Sequence, residues 1–390
     1  MPKLNLDMSR GKPCTEQLAL SNAMLALAPE TLVKTPGGID TRNYSVLDGI
    51  DEMKTFLGKL LDIPAKNISV GGNSSLNLMF DAISRNMIFG VGGGETPWGQ
   101  QGKLKWICPV PGYDRHFVIT ELFGFEMVCV PMTSAGPDMD MVEQLVKDPT
   151  VKGMWNIPKY QNPTGITYSD ETVRRIANLK PAASDFRVFW DNAYFAHDIY
   201  ETSDSLLNIF AEAEKAGNPD MVYIFTSLSK VTFPGAAVSC LAASDNNLAH
   251  IRKILSIQTI GTDKVNQLRH LRLFDLDTDN FYAHMKKLGE VVRPKFNAVL
   301  EILDRRLKGI ANWTVPNGGY FISIDLPNGT AKSVVSKCKE QGVIFTPAGA
   351  TFPYGADPDD SNIRIAPTVP PLDELTQAME VFCDCVLETI

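Results

Sequence analysis

Short β-rich runs alternate with helix-patterned segments through the middle of the chain. The runs are Trp106–Val110, Met127–Val130, Gly153–Ile157, Arg187–Trp190, Met221–Phe225 and Ala237–Leu241. They are apolar nearly throughout rather than at every second position. Strands of that kind are covered on both faces, which points to a buried, mainly parallel sheet between helices. The segment from Ser169 to Ile176 shows the connecting pattern: Ser169 is placed to cap a helix, and Asp170 and Glu171 fall in its first turn. Upstream, Leu76, Met79, Phe80, Ile83 and Met87 mark one helical face directly after Gly71-Gly72-Asn73-Ser74-Ser75. Downstream, Leu288 to Leu303 predicts a long helix with a kink at Pro294. Strand-like 319–324, a helix near 330–340, strand-like 363–366 and a terminal helix follow, and read as a smaller α+β unit.

The chain has 390 residues and a net charge of −8, which argues against a large surface for nucleic-acid phosphates. No apolar run approaches a membrane span, and the start has no apolar leader segment. Seven scattered cysteines give no disulfide framework, and Cys383 and Cys385 point apart on a helix. No metal site is expected from them or from the five histidines. These features suit a cytoplasmic protein that handles small molecules. Gly92-Gly93-Gly94 lacks the ending of a phosphate-binding P-loop and reads as a loop.

In open α/β sheets ligands gather outside the carboxyl ends of the strands, and three polar groups fall there. Asn162 follows the run at 153–157, Asp191 ends the run at 187–190, and Lys230 follows the run at 221–225. Burial lowers a lysine's pKa and makes it a better nucleophile for Schiff-base chemistry. A neighbouring aspartate could keep a pyridine nitrogen protonated. Gly72, Asn73 and Ser74 precede a helix, whose free N–H groups and dipole favour a phosphate. Lysine, carboxylate and phosphate cradle together describe a pocket for pyridoxal 5'-phosphate.

Asn162-Pro163-x-Gly165, Asp191-x-Ala193-Tyr194, Ser227-x-Ser229-Lys230 and Arg364, in that order, resemble the class I/II aminotransferases of pyridoxal-phosphate fold type I. The segments 6–13, 42–49 and 263–270 resemble the bacterial type Ic aspartate aminotransferase subgroup. The resemblance covers nearly the whole chain. It implies a large domain with a mainly parallel seven-stranded sheet, residues 46–285. An N-terminal arm, 1–45, and a small C-terminal domain, 286–390, complete the expected division.

It also implies roles. Lys230 matches the Schiff-base lysine and later general base, and Asp191 the partner of the pyridine nitrogen. Tyr194 and Asn162 match the groups on the cofactor's phenolic oxygen, with Asn162 also meeting the substrate carboxylate. Tyr113 matches the residue stacked on the ring. Gly72, Asn73, Ser74 and Ser227 match phosphate contacts, and Arg364 the arginine that grips the α-carboxylate. Tyr44 matches a tyrosine reaching the neighbouring subunit's phosphate, which implies a homodimer with shared sites. Gly11 and Lys12, with Arg10, match the stretch lining the substrate side-chain pocket, where a cation would take a distal carboxylate. In one respect the sequence departs from the pattern: Ala237 stands where a phosphate-binding arginine is expected, leaving Thr232, Ser74, Ser75 and, across the dimer, Lys264 as candidate donors.

Each residue alone has a plain structural reading: a turn at Asn162-Pro163-Thr164-Gly165, a helix cap at Asp191, packing at Tyr113 and Tyr44, a solvated lysine at 230. Their joint order and strand-end placement favour the site. The expected activity is amino-group transfer from aspartate to 2-oxoglutarate. Another amino donor (aromatic or 2-aminoadipate-like) or a β-lyase reaction would fit the same scaffold. A regulator's effector domain would need a DNA-binding domain ahead of position 1, and none is expected.

Overall fold

The computed structural model describes residues 5–92 and 94–390. Met1 to Leu4, where the leader reading begins, and Gly93 of the glycine triplet lie outside the described residues. The strands in chain order are β1 (Leu6–Asp7), β2 (Ile68–Val70), β3 (Lys105–Val110), β4 (Glu126–Thr133), β5 (Gly136–Pro137), β6 (Val151–Asn156) and β7 (Arg187–Asp191). They continue as β8 (Val222–Ser227), β9 (Ser239–Ala242), β10 (Asn312–Trp313), β11 (Ile322–Asp325), β12 (Val343–Ile344) and β13 (Asn362–Ile365).

The main sheet runs β2-β9-β8-β7-β6-β3-β4-β5. The five strands from β8 to β4 are parallel, and β9 is antiparallel to both β8 and β2. The sheet therefore has eight strands where seven were expected. The additional one is β5, two residues that fold back on the end of β4, too short to leave a pattern in the sequence.

Successive residues of a strand face opposite sides, and here both sides are covered. Ile107, Met154, Val188, Trp190 and Ile224 belong to one core cluster. Their neighbours Trp106, Cys108, Trp155, Phe189, Tyr223 and Phe225 belong to another. That is why these strands read as unbroken apolar runs. The second core is strongly aromatic: the Trp106 ring packs against Trp98, Phe125, Trp155 and Phe189 at 5.0–5.8 Å between centroids.

The third core lies around the antiparallel sheet β10-β11-β13 and gathers Val292, Phe296, Ile324, Ile363, Phe382 and Val386. Leu6 and Met8 join it, because β1 pairs in parallel with β12. The helix Thr278–Leu307 serves both units: Phe281 and Met285 pack on the first core, Val292 to Leu307 on the third. It continues through Pro294. No helix among the described residues is long and apolar enough to cross a membrane.

Candidate active site

The parallel register brings Asn156, Asp191 and Ser227 to the same edge of the sheet. A cavity of about 440 Å³ opens there, and Tyr113, Asn162, Asp191, Tyr194, Lys230 and Arg364 all line it. Its outer wall comes from the N-terminal segment Ser9 to Lys12, with Asp114, Arg115, Phe321 and Thr346.

Lys230 Nζ sits 4.9 Å from the centroid of the Tyr194 ring. Burial lowers its pKa, and Asp191 opposes the shift only in part. The backbone around it is tied down: its carbonyl accepts from Tyr320 Oη at 3.2 Å and from His197 Nε2 at 3.3 Å. Burial, reinforced by Lys230, pushes the His197 pKa down to about 3. The ring is thus neutral, with its hydrogen on the nitrogen that faces the carbonyl. Gln17 donates to Tyr320 Oη at 3.1 Å, so the N-terminal segment also bears on this turn.

Asp191 is 4% exposed. Its Oδ2 lies 3.1 Å from Nε2 of buried His116. Its Oδ1 is buried with no partner among the described residues, a costly state unless a ligand supplies the donor. His116 stacks on Trp155 at 4.1 Å between centroids, and Tyr113 meets its edge. Burial, with Asp114 and Asp191 nearby, pushes the Tyr113 hydroxyl up to about 12. Burial likewise holds the Tyr194 hydroxyl well above its ordinary value, so both phenols keep their protons.

Arg364 lies on β13 and is 6% exposed. Nη1 donates to Asn162 Oδ1 at 3.2 Å and to Asp114 Oδ1 at 3.3 Å. Nη2 donates to Thr346 Oγ1 at 3.1 Å and to the Ser9 carbonyl at 3.3 Å. Its guanidinium lies over the Phe321 ring, 4.7 Å from the centroid. The same ring presses on Gly11, where an added Cβ would overlap it.

The phosphate-cradle candidates form a second group. Ser74 caps the helix Ser75–Phe89, its hydroxyl accepting from Leu76 N at 3.2 Å. Ser229 bridges Ser227 Oγ at 2.8 Å and the Asn73 carbonyl at 3.0 Å. Gly72 has open space where a Cβ would point, and Ser75 is buried in the first turn.

Ala237 is buried, and the turn before it is pinned by Asn266 Nδ2 bonding the Ala236 and Ala237 carbonyls at 2.9 and 3.0 Å. Thr232 sits differently from a phosphate donor. Its hydroxyl bonds His270 Nε2 at 2.9 Å and the Leu228 carbonyl at 3.2 Å, and it is 1% exposed. Lys264 is buried with Nζ 3.4 Å from the Ser45 carbonyl. Tyr44 is 79% exposed and does not line the cavity of its own chain.

Residues 2–389 match the family model described as aspartate amino-transferase. The chain belongs to that family. Among its curated relatives, an aspartate aminotransferase of Corynebacterium glutamicum is 48% identical over 386 residues, 98% of this chain and 89% of the relative. The solved structure of an aspartate transaminase from Corynebacterium glutamicum superposes with a TM-score of 0.96 at 48% identity, covering 98% of this chain and 91% of that one. The α-aminoadipate aminotransferase LysN of Thermus thermophilus, solved with N-(5'-phosphopyridoxyl)-L-leucine, has a TM-score of 0.80 at 21% identity, covering 99% and 92%, and so shares the fold. The aminotransferase described here is an α/β enzyme of fold type I.

His116, His197, Tyr320 and Asp114 were not legible as site residues. His116 alone left a usable trace: it falls one helical turn after Tyr113, in a helix that opens directly at the end of β3.

Proposed function

We propose that this aminotransferase moves the amino group of aspartate to 2-oxoglutarate, giving oxaloacetate and glutamate, with pyridoxal 5'-phosphate held covalently by Lys230. The observation that carries this reading is the pairing of a lysine of lowered pKa with an unpartnered buried Asp191 oxygen in one cavity, facing the Arg364 fork. The free Oδ1 suits a pyridine N–H, and the Ser75–Phe89 helix start with Gly72, Asn73, Ser74 and Ser227 suits a phosphate. When bound, pyridoxal phosphate supplies an electron sink for the pair left when the amino acid's Cα–H is removed.

The chain's own groups do the rest. Once the substrate's amine has taken its place on the cofactor, Lys230 Nζ, whose pKa burial lowers, would take the Cα proton and pass it to the cofactor. Tyr194 and Asn162 would hydrogen-bond the cofactor's phenolic oxygen, and Tyr113 would lie against its ring. Arg364 and Asn162 orient the α-carboxylate. Lys12, or failing that Arg10, takes the distal carboxylate from the segment that Gly11 allows to pass over Phe321. Tyr44 serves the partner subunit's phosphate in a homodimer, and Lys264, with Nζ on the Ser45 carbonyl, supports the segment that carries it. The free, mostly buried cysteines suit work in the cytoplasm.

A panel of amino donors against 2-oxoglutarate tests the substrate. Aspartate should lead, with a 2-oxo acid formed and no free ammonia. A preference for aromatic donors would remove the aspartate assignment, and ammonia release would replace transfer by lyase chemistry. Lys12→Ala should raise KM for aspartate far more than for alanine or phenylalanine; equal losses would make Lys12 structural.

A further inference from the structure

Arg364 already has a carboxylate beside it. Asp114 is the one acidic side chain paired with it among the described residues, through a single contact of 3.3 Å. A strong charge-assisted N–H···O bond is about 2.7–2.9 Å, so this contact is loose. Its second oxygen, Oδ2, has no hydrogen-bond partner among the described residues, and the side chain is 35% exposed against 7% for Arg364. Asp114 opens the helix Asp114–Leu122 and lines the cavity. Three further cations, Arg10, Lys12 and Arg115, line the same mouth. All three are exposed, and none has a side-chain partner among the described residues. Asp114 therefore has water and cations to turn towards when it leaves Arg364.

We propose that Asp114 is a displaceable stand-in for the substrate's α-carboxylate: it occupies Arg364 while the site is empty and sets the threshold that an incoming anion must beat. This rests on the assignment of Arg364 as the carboxylate-binding residue. A tethered carboxylate is present at high effective concentration. A simple anion offers one point of contact and does not displace it. An α-carboxylate offers two oxygens to the guanidinium fork, and a dicarboxylate gains a second anchor at the cationic mouth. Asp114 thus favours bidentate, doubly charged ligands over inorganic anions. It acts on binding and not on the reacting bonds.

The test uses the holoenzyme and succinate, a dicarboxylate without an amino group, followed by the cofactor's absorbance. Asp114→Asn should tighten succinate about two- to five-fold, the scale of an exposed ion pair. It should also lower KM for aspartate with little change in kcat, and make chloride a stronger competitive inhibitor. Asp114→Ser, also polar in the helix's first turn, should do the same if Asp114→Asn folds poorly. Asp304→Asn is the charge control: Asp304 is an exposed carboxylate paired with Lys308 on the helix surface at 2.9 Å, and its loss should leave succinate binding unchanged. Weaker or unaltered succinate binding in both Asp114 variants overturns the proposal, as do equal gains in Asp114→Asn and Asp304→Asn. Arg364→Gln should abolish succinate binding; if it binds succinate normally, the Arg364 assignment fails and takes the stand-in with it.

Discussion

The two oxygens of Asp191 have different neighbours, and the difference decides what the residue can do. Oδ2 is held by His116 and Oδ1 faces the cavity without a partner. His116 is itself fixed by the Trp155 ring, whose Nε1 donates to Thr120 Oγ1 at 2.8 Å. Thr120 in turn donates to the His116 carbonyl at 2.7 Å. The aspartate is thus aimed by a closed set of contacts. His116→Phe keeps the stack on Trp155 but leaves Oδ2 buried and unpaired, a loss of about 1–3 kcal/mol. The expected result is a fall in kcat of roughly 5- to 150-fold, with weaker retention of pyridoxal phosphate on dialysis. Wild-type turnover with full cofactor content would show that His116 only fills space.

At the scale of elements, the site was legible where the chain makes strands and opaque where it makes turns. Asn162, Asp191 and Lys230 could be placed because buried parallel strands announce their own ends, and the residue just past an apolar run is at the ligand edge. Thr232 was misread for a local reason. Two residues beyond Lys230, it stands in a turn of i−4 geometry, so its hydroxyl bonds back to the Leu228 carbonyl and across to His270. Asp114 was passed over because its role depends on Arg364 of β13 lying opposite, 250 residues away. The strands β1, β5, β10 and β12 have two residues each, too few for any periodicity.

Gly11 shows how such a connection carries function. The segment Ser9 to Lys12 crosses the Phe321 ring, which also supports the Arg364 guanidinium. Gly11→Ala should push that ring aside, with an overpacking cost of about 1–3 kcal/mol, and raise KM for both carboxylate substrates several-fold. Unchanged KM values would show that the ring moves without disturbing Arg364.

At the scale of the whole molecule, two properties follow from how the parts share residues. Tyr44 is exposed on the chain, as a residue that completes a neighbour's site would be. If sites are shared, mixing inactive Lys230→Ala with inactive Tyr44→Phe protein should restore activity through hybrid dimers, each with one site that keeps both residues. No recovery after confirmed subunit exchange would make Tyr44 a surface residue. The second property is acid lability. Burial holds the His197 pKa near 3 and the His270 pKa near 4, against about 6.5 in an unfolded chain. Between about pH 6.5 and 4 the unfolded chain therefore binds a proton at each that the folded protein refuses. Stability rises with pH wherever the unfolded state binds more protons, so it must fall as the medium is acidified through this window. The loss approaches about 1.4 kcal/mol per pH unit for each histidine in the middle of the window. His270 is the cleaner probe, because it contacts Thr232 and the Asn266 carbonyl and not Lys230. His270→Asn removes one titrating site while leaving every carboxylate in place, so their acid contributions cancel between the two proteins. Urea unfolding of the holoenzyme at pH 6, 5 and 4 should give the variant a slope shallower by about 1 kcal/mol per pH unit, even though it starts less stable at pH 7. Parallel slopes would mean that His270 takes up its proton in the folded protein as readily as in the unfolded chain.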